Sequence, residues 1–111
     1  MKKFLLDEMK KGWFVGAFAP TAFSTETCEV ASKIYKQGDH EESHFHKIST
    51  EITLIVSGCT RMNGINYRTG DILVIEPGDK TDFLAIEDTV TCVVKVPSAL
   101  GDKYLTKDNP L

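Results

Sequence analysis

The chain has little of what marks a specialised class of protein. Its only cysteines are Cys28, Cys59 and Cys92. They are odd in number, widely spaced and never paired as CxxC, which excludes a disulfide framework and a cysteine-paired zinc knuckle. They read as reduced thiols. A long apolar run is also missing. The N-terminal MKKFLLDEMKK breaks off after Phe4, Leu5 and Leu6 at Asp7 and Glu8, too short for a signal-peptide core, and no stretch is long enough to span a bilayer. That absence predicts a cytoplasmic protein with no membrane partner. Basic residues are scarce as well: 13 Lys and Arg stand against 16 Asp and Glu, so the net charge of -3 offers no basic patch for nucleic acid. Internal repeats, linkers and low-complexity tracts are absent, and only FLLDEMKK suits a helical turn or two.

What is present is one short domain, residues 1–111. Its 41% apolar and 26% charged content is that of an ordinary soluble globular protein, with room for a single core. The runs WFVGAFA (13–19), TCEVASKIYK (27–36), SHFHK, EITLIVS, CTRM, INYR, DILVI, DFLAI and TVTCVVKV read as about nine short strands. Asn63-Gly64 between CTRM and INYR is a two-residue hairpin signal, because both positions tolerate positive φ. Pro77-Gly78 marks a second turn, and Gly70-Asp71 opens the strand before it. Short strands with tight turns predict an all-β, antiparallel sandwich or barrel.

The segment from Gly38 to Gly58 carries the chemistry. His44 and His46 lie two residues apart, so in an extended strand they project to one face with Phe45 turned away. Glu51 follows a short turn at the head of EITLIVS, which reads as the partner strand. Two imidazoles and a carboxylate on one sheet face make a three-point site for one divalent transition metal: iron, manganese, nickel, copper or zinc.

The order Gly38, His44, His46, Glu51 and Gly58, with its spacing, resembles the first signature of the cupin family in every fixed position. GDILVIEPGDKT, from Gly70 to Thr81, resembles the second signature at Gly70, Asp71, Pro77 and Gly78. Two positions depart from it. Glu76 stands where the family has proline, and Thr81 where it has the histidine that is the fourth metal ligand. The resemblance spans roughly residues 26–97. It implies a jelly-roll barrel (a double-stranded β-helix) with short N- and C-terminal extensions, and a metal site inside the barrel mouth.

Other residues are candidates around that site. Thr81 is placed to meet a metal-bound water or substrate, with Asp82 beside it as a further carboxylate. Arg61 is a candidate for a substrate carboxylate or phosphate. Glu76 is either a surface turn residue or, facing the cavity, a general acid or base. Tyr35 and Tyr67 are candidate acids at the mouth, or packed strand residues. His40, Glu41 and Glu42 read as solvated, and Trp13, Phe14 and Phe18 as a cover for the barrel or for a partner subunit.

Three functions fit. One is a metal-dependent enzyme on a small polar molecule, as an oxygenase, isomerase or lyase. The second is a metal-independent sugar or nucleotide-sugar epimerase, with His44 or His46 as base and a tyrosine as acid. The third is a non-catalytic small-ligand-binding module. Exposed edge strands predict a homodimer.

Overall fold

The computed structural model describes residues 1–109. The N-terminal helical signal forms a single 3-10 turn at Leu6–Glu8. Strands then follow in close order: β1 (Trp13–Gly16), β2 (Phe23–Ser24), β3 (Glu29–Tyr35), β4 (His40–Phe45), β5 (Thr50–Ser57) and β6 (Cys59–Met62). They continue with β7 (Ile65–Arg68), β8 (Ile72–Ile75), β9 (Thr81–Ala85), β10 (Thr89–Val96) and β11 (Tyr104–Leu105), before a last 3-10 turn at Thr106–Asp108. The two-residue strands β2 and β11 lie outside the segments that alternation marked, because two residues carry no period to detect. The last two residues of the expected domain lie outside the described residues.

The strands form two sheets, ordered β2-β1-β3-β10-β5-β8 and β11-β4-β9-β6-β7. Every described pairing is antiparallel except that of β1 with β2. This is the all-β jelly roll, built as two facing sheets. The barrel is not closed by a continuous hydrogen-bonded wall among the described residues.

One sequence expectation is overturned. β5 is not the partner of the histidine strand: β4 pairs with β9 and β11, whereas β5 pairs with β10 and β8. Residues 46–49 carry the chain from one sheet across to the other. A short connection can do this when its N–H groups find acceptors outside the ladder, and here they do, as described below.

The Asn63-Gly64 signal is met as a tight hairpin. Asn63 has φ 51° and Gly64 φ 81°, and Met62 pairs directly with Ile65. Inward positions alternate along each strand. Met62, Ile75, Phe83 and Ala85 make an apolar cluster with Tyr35, Tyr67 and Leu73 packed on it. The Phe83 ring lies 4.4 Å from that of Tyr35. Met62, Phe83 and Tyr35 also line the cavity of the histidines, where Thr53 and Thr91 are buried. The apolar cluster therefore forms one wall of a cavity whose other lining is polar.

Candidate functional site

The cavity encloses about 170 Å³ between the sheets. His44, His46, Glu51 and Thr81 all line it. They do not share one sheet face: His44 belongs to β4, Glu51 to β5 in the opposite sheet, and His46 to the turn just past β4. The donors converge across the interior instead. Thr81 sits opposite His44 in the β4–β9 register.

Both imidazoles are oriented by backbone carbonyls. His44 Nδ1 meets the Glu42 carbonyl at 2.9 Å, and His46 Nδ1 meets that of Asp102. A carbonyl only accepts, so each Nδ1 carries a proton, and whenever the ring is neutral its lone pair lies on Nε2. This is the tautomer that presents Nε2 to a metal. The rings stand edge to face, 5.6 Å between centroids. His46 Nε2 is buried and has no aligned hydrogen-bond partner, although Glu51 Oε1 approaches to 3.3 Å. A lone pair facing a carboxylate at that distance is unfavourable unless a proton or a cation lies between them.

Glu51 is itself held. Its Oε2 accepts the Thr53 hydroxyl at 3.0 Å, and Lys95 is its direct cross-strand neighbour on β10. Burial pushes the Glu51 carboxyl up; His46, Lys95 and Thr53 together outweigh this and hold it below the usual carboxylate range. Burial pushes the His44 imidazole down, and the Glu42 carbonyl opposes only part of that. The donor set therefore favours a charged carboxylate beside a neutral imidazole, which are the ligand forms a divalent metal takes. The donor chemistry fits such an ion, but among the described residues no group of three or more His, Cys, Asp or Glu side chains is placed to hold a metal ion.

The other candidates separate clearly. Tyr35 lines the cavity and donates its hydroxyl to Glu41 Oε2 at 2.7 Å. Burial, then the Glu41 charge, push that phenol up. Glu41, read from sequence as solvated, lies on the cavity wall beside Tyr35, and Lys103 Nζ is 3.6 Å from it. Burial pushes the Glu41 carboxyl up, and Tyr35, Lys33 and Lys103 more than reverse the effect. Asp82 lines the cavity with Thr81. Tyr67 instead packs on the apolar cluster. Arg61 is exposed and donates to Asn66 Oδ1. Glu76 is exposed in the turn that follows β8, where its N–H is bound by Asp79. His40 is exposed too.

Two functional residues escaped sequence reasoning. Asp102 is 5% exposed, and its carboxylate accepts the N–H groups of Lys47, Ile48 and Ser49. It satisfies the turn that carries His46 between sheets. Burial raises its carboxyl, but those three donors win and hold it low. Nothing in the tail SALGDKYLTKDNPL signals this, since the partners are backbone groups. Trp13, read as a cover, lines the cavity.

No protein-family model matches the sequence, and no curated protein matches it. Solved structures do share the architecture. A double-stranded β-helix domain protein from Klebsiella pneumoniae is similar with TM-score 0.66 and 24% identity, over 73% of this chain and 71% of that one. An RmlC-like cupin protein from Desulfovibrio desulfuricans gives TM-score 0.60 and 22% identity, covering 68% and 76%. An oxalate decarboxylase variant from Bacillus subtilis gives TM-score 0.64 and 17% identity, over 73% of this chain and 24% of that one. The likeness is one of fold.

Proposed function

The chain has the cupin fold, and from that premise we propose that it is a cytoplasmic metal-binding cupin acting on, or holding, a small polar molecule. One observation carries the reading: both Nδ1 atoms are committed to carbonyls, which leaves two Nε2 lone pairs and the Glu51 carboxylate facing one cavity. A divalent transition metal bound by His44, His46 and Glu51 would supply Lewis-acid polarisation of a substrate oxygen and, if iron, dioxygen activation. The chain's own residues do the rest. Thr53 and Lys95 keep Glu51 ionised and aimed inward, and Asp102 fixes the His46 ring. Tyr35, anchored on Glu41, places a hydroxyl oxygen on the cavity wall, where it accepts a hydrogen bond from substrate. Oxygenase, isomerase and lyase chemistry all remain consistent with this arrangement.

Elemental analysis tests it. Protein purified without chelators is expected to hold near one equivalent of metal per chain. His44→Ala and Glu51→Ala are expected to lose it while keeping their circular dichroism. Retention of metal in both variants would overturn the reading.

The Tyr35–Glu41 pair favours a second reading, a metal-independent sugar epimerase with His44 or His46 as base and Tyr35 as acid. Turnover of a sugar by metal-free protein would select it. The cavity is small beside the roughly 300–1,000 Å³ of ordinary ligand sites, which favours a few-carbon substrate over a nucleotide sugar. Ligand binding without turnover in either state would leave the non-catalytic module.

The homodimer also belongs to this reading. Outward positions on four strands of the large sheet include Val30, Ser32 and Ile34 on β3, Val90, Cys92 and Val94 on β10, Ile52, Leu54 and Val56 on β5, and Ile72 and Val74 on β8. No charge interrupts them. Ile34 is 72% exposed and Ile72 65%. Four strands at about 4.8 Å spacing and at most eight residues at about 3.3 Å give no more than about 500 Å² before side-chain relief, below the roughly 800 Å² per partner of a standard interface and in the range of a small one. An uncharged face of that size is matched by itself, so its occupant is a second copy related by a two-fold axis.

A further inference from the structure

At the cavity mouth, cations gather on a protein of net negative charge. Lys11, Lys33, Lys95 and Lys103 all line the cavity. Lys33 Nζ lies 5.1 Å and Lys95 Nζ 4.9 Å from the centre of the Trp13 ring, within cation–π range. Among the described residues, Lys103 pairs with Glu41, but neither Lys33 nor Lys95 is in an ion pair. Strand alternation turns Lys33 and Lys95 to the inward face, and two like charges on one indole repel each other unless an anion lies between them.

The backbone fixes the platform. Lys11 and Gly12 take φ 51° and 83°, closing a tight turn that bridges Lys10 to Trp13. A Cβ at Gly12 would meet the Ser32 carbonyl oxygen at 2.0 Å. Only glycine allows this turn to lie on β3, and that contact sets Trp13 beside Lys33. Lys95 is opposite Glu51 across β5 and β10, so the cation pair stands next to the candidate metal donors. Thr91, paired with Lys33 in the β3–β10 register, lines the same cavity with a buried hydroxyl that has no partner among the described residues. A buried unpaired hydroxyl is costly unless something fills the space before it.

We propose that Lys33 and Lys95, held on Trp13, form an anion subsite that binds the carboxylate or phosphate end of a small organic substrate and directs its other end to His44, His46 and Glu51. The inference deepens the function proposed above and rests on it for the reacting end alone. The cations orient the anion, and Thr91 donates to it or to the carbon skeleton's oxygen.

Trp13 is the only tryptophan in the chain, so its fluorescence reports the subsite directly. The protein is titrated with inorganic phosphate, malonate and glycerol, both as purified and after dialysis against a chelator, with metal content measured in each sample. Phosphate or malonate is expected to give a saturable change and glycerol none. Tighter phosphate binding would identify a phosphate-ended substrate; tighter malonate binding, a carboxylate-ended one. Lys33→Met and Lys95→Met are expected to weaken binding about tenfold or more, and Lys33→Arg to retain it. Binding is also expected to weaken as sodium chloride rises, a measurement that needs only the wild-type chain. No saturable response to either anion, a salt-independent response, or unchanged affinity in folded Met variants would overturn the subsite. Anion binding by protein that takes up no metal would uphold the subsite and remove the metal reading. Metal without anion binding would do the reverse.

Discussion

Asp102 holds His46 twice over. Its backbone carbonyl accepts from the imidazole Nδ1, and its carboxylate accepts the N–H groups of Lys47 at 2.9 Å, Ile48 at 3.0 Å and Ser49 at 2.9 Å. Removing the carboxylate strands three donors, of which that of Ser49 is buried while Lys47 and Ile48 are exposed residues. Asp102→Ala is therefore expected to lower stability by about 1–3 kcal/mol, read as a fall in the urea midpoint at constant slope. It is also expected to weaken metal binding about ten- to a hundredfold, the usual effect of losing a residue that orients a ligand. Unchanged stability and metal titration would show that the turn holds itself.

The same carboxyl predicts an acid limb of stability. Its folded value is depressed, so its contribution is complete above the ordinary carboxylate value and is lost as pH falls through the folded value. Asp102→Asn is expected to flatten that part of the stability–pH profile. Equal slopes in both proteins below about pH 4 would count against it.

Thr81 faces His44 across the β4–β9 register and lines the cavity. Thr81→His would place a third imidazole there. It is expected to tighten metal binding in a competition titration. A fall in affinity would mean that the new side chain turns away from the donors.

Gly58 has φ 106°, and a Cβ there would meet the Asp88 carbonyl oxygen at 2.5 Å and Thr89 Cα at 2.8 Å. Both neighbours are backbone and cannot swing aside. Gly58→Ala is expected to destabilise by at least the roughly 1–3 kcal/mol of a strained backbone, measured by thermal unfolding.

Val74 is 57% exposed in the apolar row that runs from β8 across β5 and β10. Val74→Lys would bury an unpaired charge in the proposed two-fold contact. Light scattering is expected to show a dimer for the wild type and a monomer for the variant. A wild-type monomer at millimolar concentration would refute the interface.

Much of this molecule was legible from local signals. Strand positions followed from alternation, and the hairpin from Asn63-Gly64, because both depend on neighbours in sequence. His44, His46 and Glu51 do line one cavity. The route by which they get there was not legible. Sequence spacing suggested a hairpin that joins His46 to Glu51, whereas the turn between them crosses from sheet to sheet. Only Asp102, half a chain away, makes that crossing affordable, and its partners are main-chain groups without a side-chain signature. Glu41 looked solvated because the register shift between Glu41 and His44 is invisible in a pattern of residue types. Tyr67 and Arg61 were candidates by position along strands, and Glu76 as a departure from the family's turn proline. Tyr67 lies on the apolar cluster, Arg61 on the surface, and Glu76 in the surface turn that was its other reading.

The place of β10 in the large sheet has a kinetic consequence. It lies between β3 and β5, with Tyr35 paired to Thr89 and Glu29 to Lys95, partners separated by about half the chain. The hairpin at Asn63-Gly64 closes over two residues and can form within microseconds. The large sheet must first bring distant segments together, and the entropy of that closure is met before any of its contacts are gained. Both ends of the chemistry depend on that step: Glu51 is set against Lys95 only when β10 docks, and the tail that carries Asp102 follows it. A refolding chain will regain its hairpin signal early and its Trp13 fluorescence late.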